Sequence, residues 1–480
     1  MQELVCGIDV GTSAVRVLAC DLNGRRVAAA TRDLRPVQVS GNRREQDPED
    51  WWNATATALR EALATVNPAA VRALAVDATS GTIVLVDPEL RPLSAGIMYN
   101  DGRAAGYSSR INAVAGEFIA RHGYRFKDDF GLAKILWLRD NDAAFAAAAK
   151  VLHQSDFINA RLMGEFPATD WSNALKSGCD LFSATWPGFL ASAFEFPMDK
   201  LPERIVAPGT KIGEVSAAAA AVTGLSPGTA VVAGASDGTA SLFASGARQP
   251  GDFNTSLGST LIIKGISASI LHDDRGVFYC HRHPSGYWLP GGAGNVGCAA
   301  LDREFAPDPA SRRQVLAELD ARSGEWLPTP VVLYPLGDLT EERFPFKKSG
   351  IRAFVAGVPR SREELYAATL QSIAFVERWC YEELERLGAP VSAVFATGGG
   401  ARSRVWCQLR ADVLCKPLQL PAEPETVLGS AVLAAAHLRG SFAEASAAMV
   451  RIQATLTPGQ RDFSPAYAAF RATVREQYGV

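Results

Sequence analysis

Short apolar runs of strand length open the chain, separated by small polar turns. Residues 4–9 and 15–20 are two such runs around Gly11-Thr12-Ser13. Leu22-Asn23-Gly24 then turns into a third run at 26–31, so the pattern predicts a three-stranded meander. The period changes after that. Asp47 is a candidate N-cap, Pro48 suits the first helical position, and Trp52, Ala56, Leu59 and Leu63 fall on one face. Trp51 and Trp52 read as core and rim residues of that helix. Strand pattern returns at 72–77 and 83–87, with the small polar loop Ala78-Thr79-Ser80-Gly81-Thr82 between them. Such a loop presents hydroxyl and N–H groups to a small polar ligand. Tyr99-Asn100-Asp101-Gly102-Arg103 reads equally as a ligand contact or a solvated turn.

Residues 104–200 are Ala-rich and mostly helical in pattern, an insertion that would cover a cleft. The plan then repeats. Strands are expected at 252–256 and 260–266 around Gly258-Ser259-Thr260, with further strand runs at 276–289. Ser361 and Glu364 form a capping box for a long helix that stops at Gly388. A strand at 391–397 leads into Gly398-Gly399-Gly400, and a helix starts near Ser403 with Val405, Trp406, Leu409 and Val413 on its buried side. A small-residue helix covers 425–438, and 441–480 reads as a polar-faced helical tail.

Two strand–turn–strand units far apart, Gly11–Ser13 and Gly258–Thr260, suggest two similar halves whose turn N–H groups grip one polyphosphate. Lone carboxylates accompany them: Asp9 before the first turn, and Asp237 between small residues just ahead of a helical run. The strand–glycine–helix unit at 391–403 adds a nucleoside-phosphate candidate, since a helix N-terminus favours negative charge.

Composition narrows the classes. A chain of 480 residues exceeds one core, so two domains are expected, 1–234 and 235–480. A net charge of −3 without a long basic run gives nucleic-acid binding no support. Eight scattered Cys without a CxxC pair read as reduced core residues of a cytoplasmic protein. The N-terminus lacks the plan of a signal peptide, and no apolar stretch has the length of a membrane span. Gly292-x-Gly294-x-x-Gly297 matches a dinucleotide fingerprint, but no βαβ pattern surrounds it. Cys280-His281-x-His283 reads as a surface turn rather than a metal site, and the P-loop pattern is absent.

The chain resembles the FGGY carbohydrate kinases of the actin/hexokinase/heat-shock-protein superfamily. Residues 9–16, Asp237, 255–260 and 397–408 match, in order, the first phosphate motif, the catalytic aspartate, the second phosphate motif and the adenosine motif. Gln46-Asp47-Pro48-Glu49-Asp50-Trp51 and Lys134-Ile135-Leu136-Trp137-Leu138 also look like family segments. Asp129 and Gly131 depart from the family's first signature, and the second has a shortened loop between 353–358 and 364–371. Within the family the chain most resembles the D-ribulose kinases of cyanobacterial and plant type, through 77–82, Tyr99-Asn100, Asn173 and Gly291-Gly292-Ala293 before Asn295. Bacterial xylulose kinases usually carry Met-His-Gly near Thr79-Ser80-Gly81, and glycerol kinases carry Arg-Glu there.

The resemblance implies an α/β fold of two ribonuclease-H-like domains flanking a cleft that closes by a hinge. The first would bind sugar and phosphate, and the second ATP. It implies ATP-dependent phosphorylation of the 5-hydroxyl of D-ribulose, with D-xylulose or another pentulose or polyol as the alternative. Asp237 is then the catalytic base, and Asp9, Ser80 and Asp237 contact the sugar. Asp9 holds Mg²⁺. Gly11, Thr12, Ser13, Arg16, Gly258, Ser259 and Thr260 hold the phosphates, and Gly399, Gly400 and Ser403 line the adenosine pocket. Many relatives have Asn in place of Ser403. The implied partner is a small sugar, not nucleic acid or a membrane, and the enzyme is a monomer or homodimer.

Overall fold

The first apolar runs pair as an antiparallel meander. In the computed structural model, which describes residues 2–480, these are β1 (Leu4–Val10), β2 (Ala14–Asp21) and β3 (Arg26–Asp33). β4 (Val71–Ala78) joins parallel to the far side of β1 and sets Asp77 beside Asp9. β5 (Lys211–Glu214) and β6 (Ala230–Val232) complete the order β5-β6-β4-β1-β2-β3. β1 is buried along its whole length, Asp9 included, as its mostly apolar run suits a strand covered on both faces.

Helices supply that cover. On one side lies α1 (Pro48–Ala62), capped by Asp47 through Glu49 N, with both Trp51 and Trp52 in the core. Gly131–Asn141 forms α2, Gln154–Met163 forms α3 and the single turn Trp171–Ala174 forms α4. The helix α5 (Asp237–Ser245) follows β6 and packs against a segment from much later in the chain, discussed below.

The second sheet repeats the first. Six of its seven strands are β7 (Asp252–Leu257), β8 (Leu261–Gly265), β9 (Trp288–Ala293), β10 (Ala393–Thr397), β11 (Leu418–Pro421) and β12 (Ile452–Leu456), and Tyr279–Arg282 lies outside β9. They run β9-β8-β7-β10-β11-β12, with β9, β8 and β7 antiparallel, β10 and β11 parallel to β7, and β12 antiparallel again. The five strands β9-β8-β7-β10-β11 repeat β3-β2-β1-β4-β6, while the antiparallel edge strand precedes its neighbour in the chain in the first sheet and follows it in the second. The expected pair of ribonuclease-H-like α/β domains is therefore present. Helices α6 (Arg362–Arg386) and α7 (Arg404–Leu414) belong to the second domain, whereas α8 (Thr426–Arg439) covers β1 and β4 of the first.

Two expectations change here. Residues 441–480 are helical only in part: Phe442–Met449 and Ser464–Tyr478 form helices, but Ile452–Leu456 between them pairs with β11 as an edge strand of the second sheet. The compact units also do not divide at Gly234. One comprises Met1–Gly246, His281–Tyr287 and Glu425–Arg451, and the other Ala247–Cys280, Trp288–Pro424 and Ile452–Val480. Asp237, read from the sequence as part of the second half, lies in the first unit. The reason is α8. A Cβ on Gly429 would stand 1.9 Å from Ala240 O, and one on Gly7 would stand 2.0 Å from Val427 O. Bare backbone at these two points lets α8 bind α5 and β1 into one unit.

Candidate active site

Register brings the acidic residues of the first unit together. Asp9 and Asp77 are opposite each other on adjacent parallel strands, so their side chains share a face. One residue beyond Asp77, Ala78 forms a parallel bridge with Ser236, and Asp237 follows as the first residue of α5. Asp9 and Asp77 are buried, while Asp237 is exposed and accepts Gly238 N at 2.6 Å. Arg16 Nη1 donates to Asp9 Oδ2 at 2.9 Å. Burial raises the Asp9 carboxyl above its usual range, an effect Arg16 opposes and the Asp237 charge reinforces. Asp77 is raised further, by burial and then by the charge of Asp9. Ser430 Oγ of α8 donates to Asp77 Oδ2.

The polar loop after β4 is held from several directions. Thr79 Oγ1 lies 2.6 Å from Thr82 Oγ1 and donates to Gln154 Oε1 at 2.7 Å, and Thr79 N donates to the same oxygen. Lys134, fully buried on α2, donates to Gly81 O, Met98 O and Tyr99 O at 2.8, 2.8 and 3.1 Å. Burial brings its ammonium down to about 7. Lys176 Nζ donates to Ser80 O at 3.0 Å. The backbone of Ser80 is thus fixed while its hydroxyl makes no bond within the chain. Asp101 is fully buried rather than part of a solvated turn, and Arg103 bridges it to Glu45. Burial would raise the Asp101 carboxyl, but hydrogen bonds from Arg103 and Arg44 N outweigh it and leave it low.

Both phosphate-type turns are closed by a hydrogen bond from their glycine, to the third residue on in the first turn and to the second residue on in the second. Gly11 N donates to Ala14 O at 3.1 Å, and Gly258 N donates to Thr260 O at 3.1 Å. Among the described residues, the N–H groups of Thr12 and Ser13, and those of Ser259 and Thr260, find no acceptor in the chain. On each turn, taken by itself, two such backbone donors suit anionic oxygens. In the second unit, Gly398 has φ +78° and a Cβ there would meet Leu257 O at 2.6 Å, so the strand can enter the Gly399–Arg402 turn only with glycine. Ser403 caps α7 by accepting Trp406 N at 3.1 Å.

Some motifs serve packing. Gly292, Gly294 and Gly297 lie on and after an antiparallel strand, not in a βαβ unit. A Cβ on Gly297 would fall 2.5 Å from Ser259 O, and Cys298 N donates to Gly258 O at 2.8 Å. This glycine series therefore supports the second turn. His281 and His283 are buried, not on a surface turn, because His283 sits edge-on to Phe243 and Phe442. Among the described residues no group of three or more His, Cys, Asp or Glu could hold a metal.

Residues 4–244 match the N-terminal domain of the FGGY family of carbohydrate kinases, and residues 290–438 match its C-terminal domain. This chain belongs to that family. It is 28% identical to the xylulose kinase of Bacillus subtilis (strain 168), over 90% of this chain and 88% of the relative. It is likewise 28% identical to the xylulose kinase of Escherichia coli (strain K12), over 98% of each. The crystal structure of xylulose kinase from Rhodospirillum rubrum superposes with a TM-score of 0.86 at 30% identity, covering 99% of both chains. The chain is thus an ATP-dependent sugar kinase of this family. Among the described residues no helix is long and apolar enough to cross a membrane.

Sequence reasoning named Asp77 only within the family-like segment 77–82, without a role of its own, and passed over Gln154 and Ser430. Asp77 left one signal, a carboxylate closing an apolar strand just as Asp9 does. The other two become visible only when distant segments meet.

Proposed function

We propose that this kinase phosphorylates the terminal 5-hydroxyl of a ketopentose, with D-ribulose as the substrate. The observation that carries the reading is the Ala78–Ser236 bridge, which sets Asp237 beside the loop that presents Ser80. Asp237 is exposed, and the buried groups nearest in register are carboxylates, so its own carboxylate suits proton acceptance. The sugar oxygen bonds to the γ-phosphorus as the bond to the bridging oxygen of ADP breaks, and the hydroxyl proton passes to Asp237. General-base help of this kind is worth about 10²–10⁴-fold. Most of the remaining catalysis in phosphoryl transfer is positioning and charge neutralisation.

The turn N–H groups of Thr12, Ser13, Ser259 and Thr260 would meet phosphate oxygens, and Gly399, Gly400 and Ser403 the adenosine. Asp9 would hold Mg²⁺, which neutralises phosphate charge when bound. A single carboxylate suits an ion that keeps several waters and takes phosphate oxygens as ligands. Arg16 keeps that carboxylate oriented through Asp9 Oδ2.

D-xylulose is the second reading, favoured by the names of the relatives above. Thr79-Ser80-Gly81 in place of Met-His-Gly favours D-ribulose. A coupled ADP-release assay with ATP, Mg²⁺ and D-ribulose, D-xylulose, L-ribulose, ribitol and glycerol tests both. Preference for D-ribulose is expected. Preference for D-xylulose replaces the substrate, and ADP release that ignores every sugar overturns the proposal.

A further inference from the structure

We infer that Gln154 and Asn173 determine sugar specificity by hydrogen-bonding, together with Ser80, the hydroxyls of the sugar that do not react. The inference rests on the kinase reading above and extends it to residues for which the sequence offered no role as sugar readers.

Three side-chain atoms carry it. Gln154 is fully buried at the start of α3, and its Oε1 is occupied by Thr79 N and Thr79 Oγ1. Its Nε2 has no acceptor among the described residues. Because Thr79 N can only donate, the amide cannot be turned round. Asn173, 1% exposed on α4, donates from Nδ2 to Asp170 Oδ2 at 2.7 Å and to Ser155 Oγ at 3.1 Å. Its Oδ1 has no donor. The Ser80 hydroxyl has no partner either. Buried polar groups are nearly always paired, and an unpaired one carries its full desolvation cost. Three left open on neighbouring residues need one explanation.

Hydrogen bonds show that they are neighbours. Gln154 binds the residue before Ser80, and Ser155, the residue after Gln154, binds Asn173. Ser172, the residue before Asn173, accepts Ser236 N at 2.8 Å, and Asp237 comes next. The unpaired atoms therefore belong to segments that hydrogen bonds and the Ala78–Ser236 bridge link to the residue before Asp237, the proposed base.

Their chemistry selects a class. Gln154 Nε2 offers only a donor, Asn173 Oδ1 only an acceptor, and Ser80 Oγ offers both. A sugar hydroxyl donates and accepts, so vicinal hydroxyls complement this set. An anionic substrate does not, because Asp156 and Asp170 are buried in the same network. Neutral ketoses are expected to outcompete sugar acids of equal length.

The test is a cycle of protein and substrate changes. kcat/KM is measured for the preferred pentulose and its 3-deoxy and 4-deoxy analogues with the wild-type chain, Gln154→Glu and Ser80→Ala. Gln154→Glu keeps an oxygen for Thr79 and replaces the donor by an acceptor. Ser80→Ala leaves the carbonyl that Lys176 holds. We expect at least one deoxy analogue to lose about tenfold or more on the wild-type chain, as sites built around a hydroxyl reject analogues lacking it. That same analogue should lose no more on Gln154→Glu, where KM for the parent sugar rises more than kcat falls. A merely structural role would lower all sugars by one factor and keep the deoxy penalty, which overturns the inference. If Gln154→Glu does not fold, a crystal structure of the wild-type chain with its pentulose decides. Sugar hydroxyls at Gln154 Nε2 and Asn173 Oδ1 support the inference, and only water at both overturns it. Turnover with an unchanged deoxy penalty removes this inference alone, whereas ADP release independent of every sugar removes the kinase proposal and this with it.

Discussion

Ser430 Oγ donates to Asp77 Oδ2 at 2.5 Å, joining residues 353 positions apart. The bond ties α8 to the strand that precedes the substrate loop. It is also the one hydrogen bond from a hydroxyl that the buried Asp77 carboxyl receives, since Asp77 Oδ1 has no donor in the chain. Ser430→Ala should therefore strand a buried polar group and destabilise the first unit by roughly 1–3 kcal/mol. Urea unfolding of the variant beside the wild-type chain, followed by circular dichroism, reads the loss. A midpoint equal to wild type would show that the bond adds nothing to stability.

Asp237→Asn separates the base from the architecture. Asn keeps an oxygen to accept Gly238 N, now 2.6 Å from Asp237 Oδ1, so α5 should start as before. What disappears is the proton acceptor. Sugar-dependent turnover should fall about 10²–10⁴-fold, while calorimetric titration with ATP shows affinity near that of wild type. Full turnover in this variant would remove Asp237 from the role of base.

The features legible in the sequence are those whose physics is local. A strand, a glycine turn and a second strand announce themselves within a dozen residues, and so do the capping box at Ser361 and Glu364 and the glycine run at 398–400. Asp9 and Asp237 stood out as lone carboxylates beside such turns. The rest depends on tertiary register. Ile452–Leu456 carries Ala within an Ala-rich region and became a strand because the edge of β11 was open to it, an instance of context outweighing propensity. The acid and base at Asp101 and Arg103 read equally as a ligand contact or a solvated turn because Glu45, which completes their network, is far away in sequence. Lys134 lies in a family segment, yet its three carbonyl partners come from two other loops. No pattern along one segment could show them.

Arg410 and Glu377 form a fully buried, bidentate ion pair between α7 and α6, with both contacts at 2.7 Å. Both charges are out of water, so loss of either partner leaves the other uncompensated. Glu377→Gln or Arg410→Met should each cost about 3–5 kcal/mol in the second unit, whereas the double change Glu377→Leu with Arg410→Met should recover most of it. Thermal unfolding of the three variants checks the order. Single variants as stable as the double one would mean that the pair's surroundings solvate an isolated charge.

His283 makes the first unit acid-sensitive. Burial lowers its imidazole to about 4, from a usual value of 6.5. The ring is neutral in the fold, with Nδ1 accepting Ser285 N at 3.0 Å, and its faces and edge meet Phe243 and Phe442. Protonation would end that acceptance and place a charge among aromatic rings. The folded state thus binds fewer protons than the unfolded chain between pH 4 and 6.5. Its stabilising effect is complete above 6.5 and is lost as pH falls through that window, by about 2 kcal/mol between pH 7 and 5. His283→Phe removes the titration. Urea unfolding at pH 7 and 5 should show the variant losing about 2 kcal/mol less than wild type over that interval, whatever other groups contribute to both. Equal losses would mean that His283 takes up its proton in the folded state at an ordinary pH, and that the aromatic enclosure opens to admit it.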